Sequence, residues 1–298
     1  PRAGGRPRRG DRLRCERPGG GDMLRCDTLH GAGFGAPREL LLPDWLWPNW
    51  LWPVMVAPFV GSFLGVVIRR LSAGGTLGGR SRCEACRRPL AWHDLVPLAS
   101  FAWLGGRCRQ CRAPIALFHP AVELAAVAVP LTAAFLAPEA EPSWWLWAGC
   151  GLGWTLLALG WIDWECFLLP DALTLPLIVA GLVATWLDPG RLDQGQLAGH
   201  ALAAAGGYAV PQLVNRGYRA LRGRDGLGGG DAKLLAAAGA WVGLWGLLAT
   251  VWLGAIIGLL LAVLMWLRGA RITAAMRIPF GCCLAFALWL VWLRASAG

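Results

Sequence analysis

Residues 228–267 read GGGDAKLLAAAGAWVGLWGLLATVWLGAIIGLLLAVLMWL, a run whose only charges are Asp231 and Lys233. Both stand at its start, behind three glycines. The remaining residues are apolar without the alternation of a barrel strand, and backbone polar groups in hydrocarbon must be paired within their own segment. The run therefore reads as helical, in two consecutive membrane spans at 232–242 and 244–265. A crossing takes about 20 mostly apolar residues, fewer for a short helix inside a bundle.

Moving outward from this run, similar stretches occur at 45–68, 121–137, 144–161, 172–187, 197–214 and 282–293, separated by short polar breaks. With 56% hydrophobic residues, 15% charged residues and 19 Trp among 298, the chain is too apolar for an ordinary soluble domain of its length. The expected fold is an all-α polytopic membrane protein of about eight transmembrane helices. A first span at 45–68 precedes a polar loop at 69–120, and seven further helices fill 121–298.

The net charge of +10 raises the possibility of a nucleic-acid partner, but the placement of the basic residues explains it through the positive-inside rule. Arg69, Arg70, Arg80, Arg82, Arg87, Arg88, Arg107, Arg109 and Arg112 fall between spans one and two. Arg216, Arg219, Arg222, Arg224 and Lys233 fall between spans five and six or at the start of six, and Arg268, Arg271 and Arg277 between seven and eight. Eight spans put all three groups on one face, the cytoplasm. The opposite loops carry only Arg191 and Arg294. Residues 1–38, with nine Arg, run against this orientation. Because the chain begins with Pro and Met23 lies inside this stretch, residues 1–44 are expected to be a disordered or non-native extension.

The polar loop carries Cys83-x-x-Cys86 and Cys108-x-x-Cys111 with 21 residues between the pairs. Each knuckle directs two thiolates at one point, and two knuckles complete a tetrahedral sulfur shell for a structural Zn2+. A cytoplasmic loop argues against disulfides. Four thiolates leave no open position on the metal, so catalysis is assigned elsewhere. His93 and His119 are lesser ligand candidates.

Carboxylates at the ends of apolar spans are costly, and so are functional candidates. Asp163 leaves span three and Asp231 opens span six, and the topology brings both to the same boundary. Two carboxylates sharing one proton can hydrolyse a peptide bond without a metal or covalent intermediate. Gly228 and Gly230 allow close approach of another backbone. Asp171 reads as a helix cap or a supporting residue, Asp225 as a solvated loop charge, and Glu123 and Glu165 as proton partners or interfacial residues. Lys233 is expected to pair with a carboxylate or a lipid phosphate. A proton-coupled transporter is the alternative for the same aspartates.

Several motifs then fall in a known order. Gly61-Ser62-Phe63-Leu64-Gly65-Val66-Val67-Ile68-Arg69-Arg70-Leu71 precedes the paired knuckles, with Leu90-Ala91-Trp92-His93-Asp94-Leu95-Val96-Pro97-Leu98 between them. Asp163 to Pro176, Gly228-Gly229-Gly230-Asp231-Ala232-Lys233-Leu234 and Arg277-Ile278-Pro279-Phe280-Gly281 come after them. Across about residues 55–285 the chain resembles the type IV prepilin leader peptidases. The resemblance implies cleavage of prepilins or type II secretion pseudopilins after Gly by Asp163 and Asp231, in a bacterial inner membrane. It further implies methylation of the new N-terminus with S-adenosylmethionine, and leaves open a peptidase that lacks methyl transfer. Gly65 stands where the family usually has Asn, Phe118-His119-Pro120 replaces Arg-Tyr-Pro, and Cys282-Cys283 replaces a Pro-aromatic pair.

Overall fold

The computed structural model describes residues 13–16, 25–28, 50–76, 78–91, 94, 96–136, 143–187, 194–223, 226, 228–269 and 279–296. Near the N-terminus, β1 (Leu13–Glu16) and β2 (Arg25–Thr28) pair antiparallel with Cys15 opposite Cys26.

The other regular elements among the described residues are helices: α1 (Leu51–Ser72), the short α2 (Ala99–Trp103), α3 (Phe118–Leu136), α4 (Ser143–Cys166), α5 (Asp171–Leu187), α6 (Gln194–Arg222), α7 (Gly229–Leu267) and α8 (Phe280–Ser296). Four of these, α1, α3, most of α4, and α7, are long and apolar enough to cross a membrane, and α5 and α8 are shorter apolar helices. Large apolar side chains such as Trp245, Trp252 and Leu259 point outward, an exterior suited to lipid rather than water.

Several helices outrun the apolar stretches from which they were expected, α1 among them, since it carries Arg69 and Arg70 in its last turn. α4 continues through Asp163 to Cys166, and α6 runs past residue 214 to Arg222, so Arg216, Arg219 and Arg222 lie on helix rather than in a loop. Polar residues with good helix propensity extend a helix beyond its apolar part at little cost, and long Arg stems keep their charges in water.

Small residues bring the helices into backbone contact. A Cβ at Gly61 would lie 2.6 Å from the Glu123 Cα, and one at Gly239 would lie 2.4 Å from the Ala203 carbonyl carbon, which closes α1 onto α3 and α6 onto α7. At Gly243 the backbone of α7 leaves helical geometry (φ 65, ψ −168), a conformation open to glycine. This is the break expected between residues 242 and 244. Beyond it, Gly246 faces Val291, Gly254 faces Leu284 and Gly258 faces Phe280, so the second half of α7 runs antiparallel to α8. The first half departs from Asp231 along α5, where the Trp241 indole N–H donates to the Leu177 carbonyl at 2.9 Å. The chain therefore doubles back at Gly243, and α8 starts at the level from which α7 departed.

Candidate functional site

Asp163 occupies the last turn of α4. The helix stops just beyond, where Phe167 adopts a left-handed φ of 54 and its N–H donates to the Asp163 carbonyl at 2.9 Å. The Asp163 side chain is buried, and its Oδ2 accepts the Cys282 N–H at 2.8 Å. That donor belongs to the first turn of α8, where unpaired N–H groups and the positive end of the helix dipole favour an anion. Gly281 makes the approach possible, because a Cβ there would lie 2.9 Å from both Cγ and Oδ2 of Asp163.

Asp231 sits in the first turn of α7, behind an extended Gly228. A Cβ at Gly228 would lie 3.2 Å from Asp231 Oδ2, and one at Gly230 would lie 2.7 Å from the Cβ of Leu169. Leu169 is also 2.9 Å from the place a Gly281 Cβ would take. The buried Leu169 therefore wedges between a glycine of α7 and a glycine of α8, with the two aspartates beside it. The carboxylates of Asp163 and Asp231 are close enough to interact electrostatically.

The supporting residues meet each other instead of the aspartates. Asp171 lies in the first turn of α5, with its carboxylate paired to Lys233 Nζ from α7. This corrects the cap reading: the Pro170 carbonyl begins the helix by accepting the Leu173 and Thr174 N–H groups, and the Asp171 side chain is drawn across to the cation. Glu165 accepts the Trp161 indole N–H at 3.0 Å. Asp225 and His93 lie outside the described residues.

The four loop cysteines form a second cluster, with sulfur atoms all within 4.8 Å of one another. The two knuckles repeat one backbone pattern. The Cys83 N–H donates to Arg88 and the Arg87 N–H to Cys83, just as Cys108 donates to Ala113 and Arg112 to Cys108. Arg87 and Arg112 both take left-handed φ, 56 and 58. A tetrahedral zinc with bonds of about 2.3 Å separates its sulfurs by roughly 3.8 Å, and Cys83 and Cys111 stand 3.8 Å apart. The two thiols of the second knuckle are shifted in opposite directions. Backbone N–H groups of Cys111 and Gln110 bring Cys108 down to about 7. Cys111 also receives a lowering bond from the Ala113 N–H, but desolvation and the adjacent thiols push it up to about 11. A divalent ion would relieve that repulsion, so donors and spacing fit a structural zinc. Arg109, between the thiols of the second knuckle, pairs with Asp94 at 2.7 Å.

Comparison with known proteins connects the two clusters. The profile of the Type IV leader peptidase family matches residues 150–263, and that of the Bacterial Peptidase A24 N-terminal domain matches 55–137. A prepilin leader peptidase/N-methyltransferase of Aeromonas hydrophila is 35% identical, with the alignment covering 83% of this chain and 91% of the relative. The chain belongs to the type IV leader peptidase family. Proteins of the same description from Pseudomonas aeruginosa, 34% identical over 80% of this chain and 88% of theirs, and from Neisseria gonorrhoeae, 32% over 78% and 86%, agree. No solved structure gives a significant match.

In this leader peptidase family member, sequence reasoning selects both aspartates and all four thiols, yet it overlooks the groups that hold Asp163. The Cys282 N–H is a backbone donor with no side-chain signal, and Gly281 stands out only as part of a motif. Leu169 passes for an ordinary apolar residue. Glu123, read as a proton partner or an interfacial residue, is buried away from the aspartates: its Oε2 accepts the Leu98 N–H at 2.7 Å, and it takes a further hydrogen bond from Ser62.

Proposed function

We propose that this protein is a membrane aspartyl endopeptidase that removes the leader of type IV prepilins and type II secretion pseudopilins after Gly, and then methylates the new N-terminus. The observation that carries the reading is the meeting of Asp163 and Asp231 around Leu169, with the α8 N-terminus donating to Asp163. The bundle is proposed to span a bacterial inner membrane eight times, Gly243 being the outer reversal between two of the spans. The Arg-rich loops, the aspartates and the thiol loop would then lie at the cytoplasmic face. There the leader stays in water while the apolar helix of the substrate docks against the bundle.

Because Asp163 accepts the N–H groups of both Cys282 and Gly281 whereas Asp231 accepts only that of Gly228, the shared proton is assigned to Asp231. Asp163 takes a proton from water as its oxygen attacks the scissile carbonyl, and Asp231 gives its proton to the carbonyl oxygen. The resulting diol collapses by returning a proton to Asp231, while Asp163 protonates the leaving nitrogen and the C–N bond breaks. The Lys233–Asp171 pair would hold the starts of α5 and α7 in register around this centre.

A zinc ion held by Cys83, Cys86, Cys108 and Cys111 would fix the loop between α1 and α3. S-adenosylmethionine, when bound, supplies an electrophilic methyl group on a sulfonium.

Asp163→Asn and Asp231→Asn should each reduce prepilin cleavage by about 10³-fold or more while leaving the protein in the membrane. Mass spectrometry of a prepilin incubated with membranes reads leader loss and methyl gain separately. Near-normal cleavage by either variant would sink the two-carboxylate reading.

A further inference from the structure

Between α1, α3 and the thiol loop lies a cavity of about 660 Å³, a size common among small-molecule sites. None of the groups assigned to peptide cleavage lines it. Its walls include Glu123 and Gly65, apolar surface from Phe101, and the arginines 69, 80 and 82. Glu123 is only 7% exposed, and its hydrogen-bond donors, the Leu98 N–H and Ser62, are both neutral. The ion pairs between described residues, Arg109–Asp94 and Lys233–Asp171, do not include it. A buried carboxylate held ionised without a cation is expensive, and a cationic group entering the cavity would relieve that cost. The arginines oppose it. Arg69 is held in place over the Phe118 ring, 4.3 Å from its centroid. The cavity therefore offers a buried carboxyl, several cations and apolar surface to one ligand.

We propose that this cavity binds S-adenosylmethionine, with its sulfonium and ammonium drawn to Glu123, its carboxylate to the arginines, and its adenine ring to the apolar wall. The assignment rests on the methyl-transfer reading above, and it separates the two activities in space: the aspartates cut, and the donor is stored beneath the thiol loop. Gly65 and His119 give it a further handle. A Cβ at Gly65 would lie 3.6 Å from His119 Nδ1, in ordinary contact, so a side chain at 65 can be accommodated on the backbone and would extend into the cavity.

The test is equilibrium binding of radiolabelled S-adenosylmethionine to the full-length, zinc-loaded protein in detergent, without prepilin. Wild type and Asp231→Asn should bind with the same Kd, even though the latter does not cleave. Gly65→Leu, which fills the cavity, and Glu123→Gln, which removes its negative charge, should each weaken binding at least tenfold with zinc content retained. If Glu123→Gln does not fold, Gly65→Leu decides alone. Wild-type affinity in the variants would overturn the cavity assignment and leave methyl transfer standing. No binding by wild type would overturn methyl transfer itself, and the cavity assignment with it.

Discussion

The thiol loop and the aspartate centre are built by opposite means. In the loop each knuckle is closed by hydrogen bonds between residues four or five apart, and the five-residue α2 buries none of its side chains. The loop has local geometry but little core. The aspartate centre has almost no local geometry. Asp163 is held by an N–H 119 residues away and Asp171 by a lysine 62 residues away, within a bundle of buried residues such as Leu159, Leu234 and Leu284. One region should therefore depend on its metal and the other on helix packing, and each should be breakable without the other.

Among variants that keep both aspartates, the largest effect is expected from Gly281→Val. The added Cβ must displace the Asp163 carboxylate or Leu169, both ends of movable side chains, so the bundle should survive while the proposed catalytic geometry does not. Cleavage should fall by roughly 10²-fold or more, as 1 Å misplacements do, with helical circular dichroism and zinc content unchanged. Loss of zinc together with activity would mean that the two regions are coupled.

The converse experiment removes the metal. A strong chelator, or Cys83→Ser combined with Cys111→Ser, should open residues 83–111 to protease, because structural zinc sites contribute about 10–16 kcal/mol of apparent binding energy to the domains they fold. The membrane helices should remain protected. Limited proteolysis read by mass spectrometry locates the cuts, and cuts confined to the helices would contradict the division.

The same contrast explains what is legible in the sequence. The thiol cluster can be read from spacing because its ligands lie in two short knuckles. Asp163 and Asp231 stand out because charge is costly in apolar runs, and the reversal at Gly243 because a glycine separates two spans. The hold on Asp163 is not legible. Gly281 is one of 41 glycines, and its importance comes from a contact across the fold. Asp171 misleads because aspartate suits both a cap and a first turn, and only the packing of α5 on α7 brings Lys233 within reach. The surroundings of Glu123 are not legible for a similar reason, since its neighbours are set by the contact of α1 with α3 at Gly61.

The smallest effect concerns the Lys233–Asp171 pair. Its carboxylate is 58% exposed and its ammonium 26%, and partly exposed ion pairs contribute only about 0–1 kcal/mol. Lys233→Met keeps the apolar stem against the bundle and removes the charge. It should therefore leave the fold intact and change cleavage by less than about fivefold, visible mainly as reduced sensitivity to salt in the assay. A collapse comparable to that of the aspartate variants would show that Lys233 does more than hold α5 and α7 together. Lys233 is two residues from Asp231, so such a result would place its charge in the field that governs the shared proton and draw the boundary of the catalytic centre outward to include Asp171.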